Sequence, residues 1–459
     1  MSQTMSKLKT DQFIGTANNI LEVIFPSPRN FSIRLWDGSE LAANTSRPEF
    51  TLVINHPWSL RRMFSPPIEL SMGESFIYGD IDLEGDICDA VSIMDPIFSR
   101  QFKLTELFSI GEKIISLPNN QQYDLVGRGP VKLQGAVHSK ARDRAAISYQ
   151  YDVGNEFFAQ WLGKRMVYSC AYFKTGREDL DTAQEQKLDL ICRKLRLKPG
   201  DRLLDIGCGW GGLAMFAAEN YGAQVVGISL SEKQIEYALN LVTKKGLEGK
   251  VDFKIQDYRD VGSESFDKIV SVGMVEHVGR VKLPEYFGHA YRMLKPGGLF
   301  LNHGISSRPQ VRFTISSSGV NSSHPALITN ESSGFQTWVN RNVIGTNSFM
   351  QHYFFPDGEL IPVSDLNQFA EQVGFEVRDI ENLREHYALT LRHWVKLMEE
   401  NRGRILKVVD EVTLRTWRMY MAASAHGFES SNITVNQSLL VKPVGGRSNL
   451  PLTRADLYA

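Results

Sequence analysis

The sequence lacks an excess of charge of either sign. Lys and Arg number 51 and Asp and Glu 52, for a net charge of −1. That balance argues against a strongly basic nucleic-acid binder, and no nucleic-acid partner is expected. No apolar run approaches the ~18–20 residues of a membrane span. The N-terminal MSQTMSKLKTDQFIGTANNI has neither the apolar core nor the small-residue cleavage site of a secretory leader, so a cytoplasmic protein is expected. Cysteine is scarce. Cys88, Cys170, Cys192 and Cys208 form no C-x-x-C pair and no Cys/His cluster with metal-binding spacing, so no metal site is expected. Cys88 and Cys192 read as small buried hydrophobes. No internal repeat is visible.

What is present is an ordinary globular mix, 42% hydrophobic and 22% charged, long enough for two or three domains. Residues 1–110 read as a small α+β module. FSIRLWDGSELAA turns at Asp37-Gly38, PEFTLVINHP is a strand, and the glycines of GESFIYGDIDLEGDI punctuate short strands. Residues 111–147 read as a turn-rich linker with a basic cluster, Arg128, Lys132, Lys140, Arg142 and Arg144. That cluster is either a solvated face or a contact for anionic lipid headgroups. Residues 148–459 read as the catalytic domain. From about residue 200 strands alternate with helices: DRLLDIG, AQVVGIS, VDFKI, FDKIVSV and GLFLNHG are strands. This pattern predicts an α/β fold with a doubly wound, mostly parallel sheet.

The first of these strands runs into a glycine loop, Asp205-Ile206-Gly207-Cys208-Gly209-Trp210-Gly211-Gly212, which opens a helix. Glycine there permits a tight turn and a close approach of backbone N–H groups to a ligand. A dinucleotide site would place an acid about 20 residues later. That position holds Gly227-Ile228-Ser229, and the acid lies in the loop itself, at Asp205. This arrangement resembles the cofactor loop of class I S-adenosylmethionine (SAM)-dependent methyltransferases, whose sheet is Rossmann-like and seven-stranded.

Several further segments are specific in combination. They are QYDVGNEFF (150–158), MVYSCAYF (166–173), LLDIGCGWGGLA (203–214), SVGMVEHVG (271–279), LNHGIS (301–306), FPDGELIPV (355–363) and EHYALTLRHW (385–394). Over residues 145–442 they closely resemble the cyclopropane-fatty-acyl-phospholipid synthases and mycolic acid cyclopropane synthases. The N-terminal region resembles, more loosely, the lipid-binding module of the bacterial synthases.

The resemblance implies methylene transfer from SAM to the cis double bond of an unsaturated phospholipid acyl chain. Attack by the alkene leaves a carbocation, and a base must then remove a proton so that the ring closes. Such chemistry needs an apolar site closed to water, aromatic faces and one positioned base. In the family that base is a bound bicarbonate ion. By resemblance its ligands are Cys170 and Ile305 through backbone N–H groups, and Glu276, His303 and Tyr387 through side chains. SAM contacts by resemblance are Tyr168, Ser169, the loop residues Asp205, Gly207 and Gly209, then Ser229, Gln234, Asp257 and Tyr258. Each has a plainer reading: Glu276 as a strand-end carboxylate, His303 as a core histidine, Tyr387 as a helix-start core aromatic, Cys170 as packing. His277 is expected to point away on a strand.

Two features depart from the family pattern. Gln150 replaces the usual His before Tyr-Asp, and Gly304 replaces Thr between His303 and Ile305. The stretch from His303 to Pro356 is also long for the family, and its ISSSGVNSSHPALITNESSG reads as a polar loop or lid. Methyl or methylene branching of the same alkene is therefore an alternative. A small-molecule N-methyltransferase is an alternative of another class. Residues 388–424 carry an apolar stripe with interleaved Arg and Lys, read either as helices capping the site or as a membrane-touching face. A peripheral protein at the inner membrane face, making transient contact, is the expected setting. Bacterial relatives imply a homodimer.

Overall fold

The computed structural model describes residues 2–99, 104–120, 127–151, 153–262, 264–308 and 348–457. The long polar loop expected after His303 lies outside them. The backbone divides into two compact units. Among the described residues the first comprises 2–99, 104–120, 127–130, 348–353 and 410–426, and the second 131–151, 153–262, 264–308, 354–409 and 427–457.

The first unit is built on a four-stranded sheet of order β2-β1-β3-β4, with β1 Ser32–Arg34, β2 Glu40–Leu41, β3 Phe50–Ile54 and β4 Ile81–Gly85. The Asp37-Gly38 turn joins β1 to β2 as expected. In β3 the alternation of Phe50, Leu52 and Ile54 with Thr51 and Val53 puts the first three in the core. GESFI departs from expectation. It closes the helix Ile68–Ile77, whose Met72, Phe76 and Ile77 recur at helical spacing and are buried. An apolar cavity lies among Leu52, Met63, Met72, Ile93 and Met419 of this unit.

The stretch expected as a linker is largely helical at its ends, in Leu104–Ser116 and Lys140–Tyr151. Its basic cluster is mostly paired. Arg142 grips Asp357 at 2.6 and 2.8 Å, Arg144 meets Glu232 at 2.5 Å, Lys140 pairs with Asp260, and Arg128 donates to the Tyr353 carbonyl at 3.3 Å.

The second unit carries a seven-stranded sheet of order β10-β11-β9-β8-β5-β6-β7 among the described residues. Its strands are β5 Arg202–Ile206, β6 Gln224–Ser229, β7 Val251–Ile255, β8 Phe266–Val272, β9 Leu294–Ser307, β10 Glu376–Asn382 and β11 Ile433–Val441. β5 through β9 pair in parallel, and β11 runs antiparallel between β9 and β10. This is the class I methyltransferase sheet. Both faces are covered, so β5 reads as a continuous apolar run. Leu203 joins a core on one face with Leu188, Ile191, Leu213 and Val225. Leu204 and Ile206 join the opposite core with Phe266, Ile269, Phe287 and Phe300.

The C-terminal apolar stripe is taken up by packing. Leu391, Trp394, Val395, Met398 and Ile405 are buried in the second unit, and Trp417 and Met421 in the first. Of the expected basic face, Arg415 is buried, bonded to the Phe76 and Ile81 carbonyls at 2.7 and 2.9 Å, and Arg392 pairs with Glu429. Lys396, Arg404 and Lys407 remain exposed. Among the described residues no helix is long and apolar enough to cross a membrane, and no cluster of potential metal ligands occurs.

Candidate active site

The carboxyl ends of β5, β6 and β8 open onto a cavity that is partly open to solvent. The glycine loop forms its floor. Gly211 sits at φ +81° and starts the helix Gly212–Tyr221, and a Cβ there would lie 2.4 Å from the Phe253 ring. Only glycine meets both demands. Gly207 and Cys208 donate to the Ile228 carbonyl at 2.9 and 3.0 Å, which ties the loop to β6.

All nine residues expected to hold SAM line this cavity: Tyr168, Ser169, Asp205, Gly207, Gly209, Ser229, Gln234, Asp257 and Tyr258. Ser229 donates to Gln234 at 2.9 Å. Ser231 caps the helix Glu232–Lys245 by accepting from the Gln234 N–H. Asp257 is held below the usual carboxylate range by Arg259, at 2.8 and 2.6 Å, in spite of burial. Asp205 is the reverse case. It is 2% exposed, its Oδ2 has no partner, and burial pushes it up to about 7. Its buried, unsatisfied oxygen at a glycine cradle is what a cationic, hydrogen-bonding ligand would complete.

The five residues expected around the base lie beside this cavity rather than in its wall. Ile305 on β9 donates its N–H to Glu276 Oε1 at 2.6 Å, leaving Glu276 Oε2 buried without a partner. The Ile305 N–H, expected to face the anion, is instead taken by Glu276. His303, two residues earlier on β9, is 2% exposed. Its Nδ1 lies 3.1 Å from Gln437 Nε2 on β11, and its Nε2 is buried without a partner. With the Gln437 amide donating, Nδ1 accepts and Nε2 carries the proton, a donor facing the gap. Burial holds His303 well below its ordinary pKa, so the ring is neutral.

Cys170 and Tyr387 are brought to this corner through Leu383. Cys170 Sγ lies 3.7 Å from the Leu383 carbonyl, to which Tyr387 N–H also donates at 3.0 Å, and Leu383 N–H bonds Val435, the β11 partner of Ile305. The YSCAYF segment docks on the helix Arg384–Glu400 through Ala171 N–H to Thr390 and Phe173 N–H to His386, both 3.0 Å. Cys170 is fully buried and its thiol is pushed far up, which excludes a thiolate. An aromatic wall joins the two groups. Tyr168 of the cavity stands 5.3 Å from Trp394, and Trp394 stands 6.1 Å from Tyr387. Trp161 lies 5.6 Å from each of Tyr168 and Trp394.

Glu276 is buried enough that its carboxyl rises to about 7, even though the Ile305 hydrogen bond pulls it down. The folded chain then holds this proton more tightly than the unfolded chain does. The associated stability is complete below the ordinary value of 4.5 and is lost as pH climbs toward 7. Denaturant titrations at pH 5 and pH 8 should therefore show wild type losing on the order of 3 kcal/mol relative to Glu276→Gln. Parallel pH dependences would show that Glu276 titrates normally.

Two corrections follow. Glu276 is in a single 3-10 turn, Val275–His277, after β8 and not at its end. His277 consequently does not point away. It lines the cavity, 5.7 Å from the Phe355 ring, and burial lowers it to about 4. Gly304 is demanded by packing, because a Cβ there would sit 2.2 Å from Val275 Cγ1 and 3.7 Å from Glu276 Oε1. Gln150, the other departure, is 2% exposed and lines the cavity. The residues 354–358 also line it, anchored through the Arg142–Asp357 pair.

Sequence reasoning missed Lys187 and Gln437. Lys187 lies on the inward face of the helix Leu180–Lys194, where a cation among Leu180, Ala183, Leu188 and Ile191 was the available signal. Gln437 is the buried polar residue that fixes the His303 ring, visible only once β11 is paired with β9.

With this geometry in view, similarity to known proteins is decisive. Residues 138–438 match the profile of the mycolic acid cyclopropane synthetase family. The chain belongs to that family. Residues 17–98 match a separate profile described as a domain of unknown function, DUF7884. A probable fatty acid methyltransferase of Pseudomonas putida is 38% identical, over 93% of this chain and 95% of that protein. The cyclopropane-fatty-acyl-phospholipid synthase of Escherichia coli is 35% identical, over 67% of this chain and 70% of its own length. The solved mycolic acid cyclopropane synthase CmaA1, complexed with SAH and CTAB, superposes with a TM-score of 0.57. It is 29% identical and covers 65% of this chain and 98% of its own. The protein is accordingly a SAM-dependent methyltransferase of this family, and the cavity over the glycine loop is of the right chemistry for SAM.

Proposed function

We propose that the protein transfers a one-carbon unit from SAM to the cis double bond of an unsaturated phospholipid acyl chain, with cyclopropanation as the leading outcome. The observation that carries this reading is the pair of buried, partnerless polar atoms, Glu276 Oε2 and His303 Nε2, beside an aromatic wall that reaches the SAM cavity. SAM supplies an electrophilic methyl group when bound, and bicarbonate a proton-accepting oxygen. Glu276, raised to about 7, presents an acid proton at Oε2, and neutral His303 presents Nε2–H. Both are donors suited to a small planar anion, and a protonated Glu276 avoids repulsion between two anions. Tyr168, Trp161, Trp394 and Tyr387 offer ring faces to positive charge developing on the acyl chain. The burial of Trp161, Trp394 and Tyr387 keeps out water that would intercept it. The apolar cavity of the first unit is of a chemistry to hold acyl groups, and a bilayer substrate requires contact with a membrane surface.

A second reading, methyl or methylene branching of the same alkene, is favoured by two observations. A relative matched over nearly its whole length is named a probable fatty acid methyltransferase. Gly304 also replaces the family's Thr next to Glu276. Lipid mass spectrometry after expression in a host lacking such enzymes separates the readings. The cyclopropane and the exocyclic methylene each gain one CH2, and ozonolysis cleaves the methylene and spares the ring; a saturated methyl branch, which needs a reductant, gains two further hydrogens and is told apart by mass. A gain of CH2 that resists ozonolysis is the expected result. Ozonolysis-sensitive product would favour branching.

A further inference from the structure

Lys187 is 1% exposed, yet its ammonium has no carboxylate within ion-pair distance among the described residues. Asp205 acts on it only electrostatically, from beyond that distance, and a buried cation without an adjacent counter-ion costs several kcal/mol, so its retention calls for a reason. Among the described residues its hydrogen bond runs from Nζ to Ser169 Oγ at 2.9 Å. One turn earlier on the same helix, Gln184 Nε2 donates to the Ser169 carbonyl at 2.9 Å. Side chain and backbone of Ser169 are thus both fixed from the helix Leu180–Lys194. Lys187 and Ser169 both line the SAM cavity, as does Asp205. Because Lys187 donates to the hydroxyl oxygen, the Ser169 O–H proton is left to point elsewhere, toward the cavity.

We propose that Lys187 is the charge that recognises the carboxylate at the amino-acid end of SAM, acting through the Ser169 hydroxyl that it orients. A buried ammonium behind a hydroxyl donor is matched to a carboxylate, and the neighbouring Asp205 to the ammonium of the same amino-acid end. Burial lowers Lys187 to about 8, against the pull of Cys170 and Asp205, and an arriving carboxylate would raise it again and hold the ammonium charged. Lys187 is a positioning residue: it touches Ser169, and Ser169 touches the ligand. The inference rests on SAM occupying this cavity.

Calorimetric titration of the full chain tests it with two probes. S-adenosylhomocysteine carries the carboxylate, and its decarboxylated analogue keeps the adenosine, sulfur and amine. Lys187→Met should weaken S-adenosylhomocysteine roughly ten- to a hundredfold and leave the analogue within about twofold of wild type. Methionine fits an apolar setting, and Ser169→Ala is a second variant with the same expected selectivity should the first not fold. In the double variant the two losses should be far from additive. Equal weakening of both probes, no weakening of either, or additive losses would overturn the proposal. Failure of the wild type to bind S-adenosylhomocysteine at all would instead overturn the SAM reading beneath it.

Discussion

Glu276→Gln and His303→Ala should each lower turnover by about 10²- to 10⁴-fold while binding of S-adenosylhomocysteine stays near wild type. The separation follows from position. Neither residue lines the SAM cavity, and each ends in a buried atom without a partner. Glu276→Gln keeps the shape and can still accept from Ile305 N–H, but it carries no titratable proton at Oε2. His303→Ala removes the donor at Nε2 and leaves Gln437 without its ring partner. Single-turnover kinetics paired with calorimetry measures both properties on one sample. If a folded variant lost ligand affinity in step with turnover, these two residues would belong to the cofactor site.

Gly211→Ala should have the opposite profile, losing cofactor binding first. Its φ of +81° is costly for any residue with a Cβ, and that Cβ would press to 2.4 Å from Phe253. Overpacking of this kind costs about 1–3 kcal/mol and moves backbone that must approach the ligand closely. A lowered melting temperature and at least a roughly tenfold weaker affinity for S-adenosylhomocysteine are expected. Unchanged affinity at wild-type stability would show that the loop tolerates a side chain and does not shape the cavity.

The sheet was legible because its strands are buried on both faces and its turns carry glycine. Leu203, Leu204 and Ile206 announce β5, and the Asp205 loop follows at once. The SAM cavity was legible for a related reason, since its residues sit at strand ends and in a glycine loop, where sequence order maps onto space. The first unit was harder. GESFI, with its single glycine, could begin a strand or end a helix, and only the burial of Met72, Phe76 and Ile77 decides for helix. The turn holding Glu276 is too short to leave a periodic signal, so His277 was assigned the wrong direction. Lys187 and Gln437 were illegible because a lysine on a helix or a glutamine on a strand ordinarily faces water. Their burial depends on partners distant in sequence, Ser169 and His303. In the basic stretches, Arg142 and Arg415 are engaged with Asp357 and Asp82, pairings that join residues far apart in sequence.

The central claim is that the double bond of a membrane lipid, rather than a soluble amine, receives the carbon. The direct measurement incubates the purified full chain with vesicles of unsaturated phospholipid and SAM bearing an isotopically labelled methyl group, followed by mass spectrometry of the released fatty acids. The account predicts one labelled carbon at the former double bond of the acyl chain, and none with vesicles of saturated phospholipid. Absence of label from the lipid, with labelled product from a soluble amine under the same conditions, would contradict it.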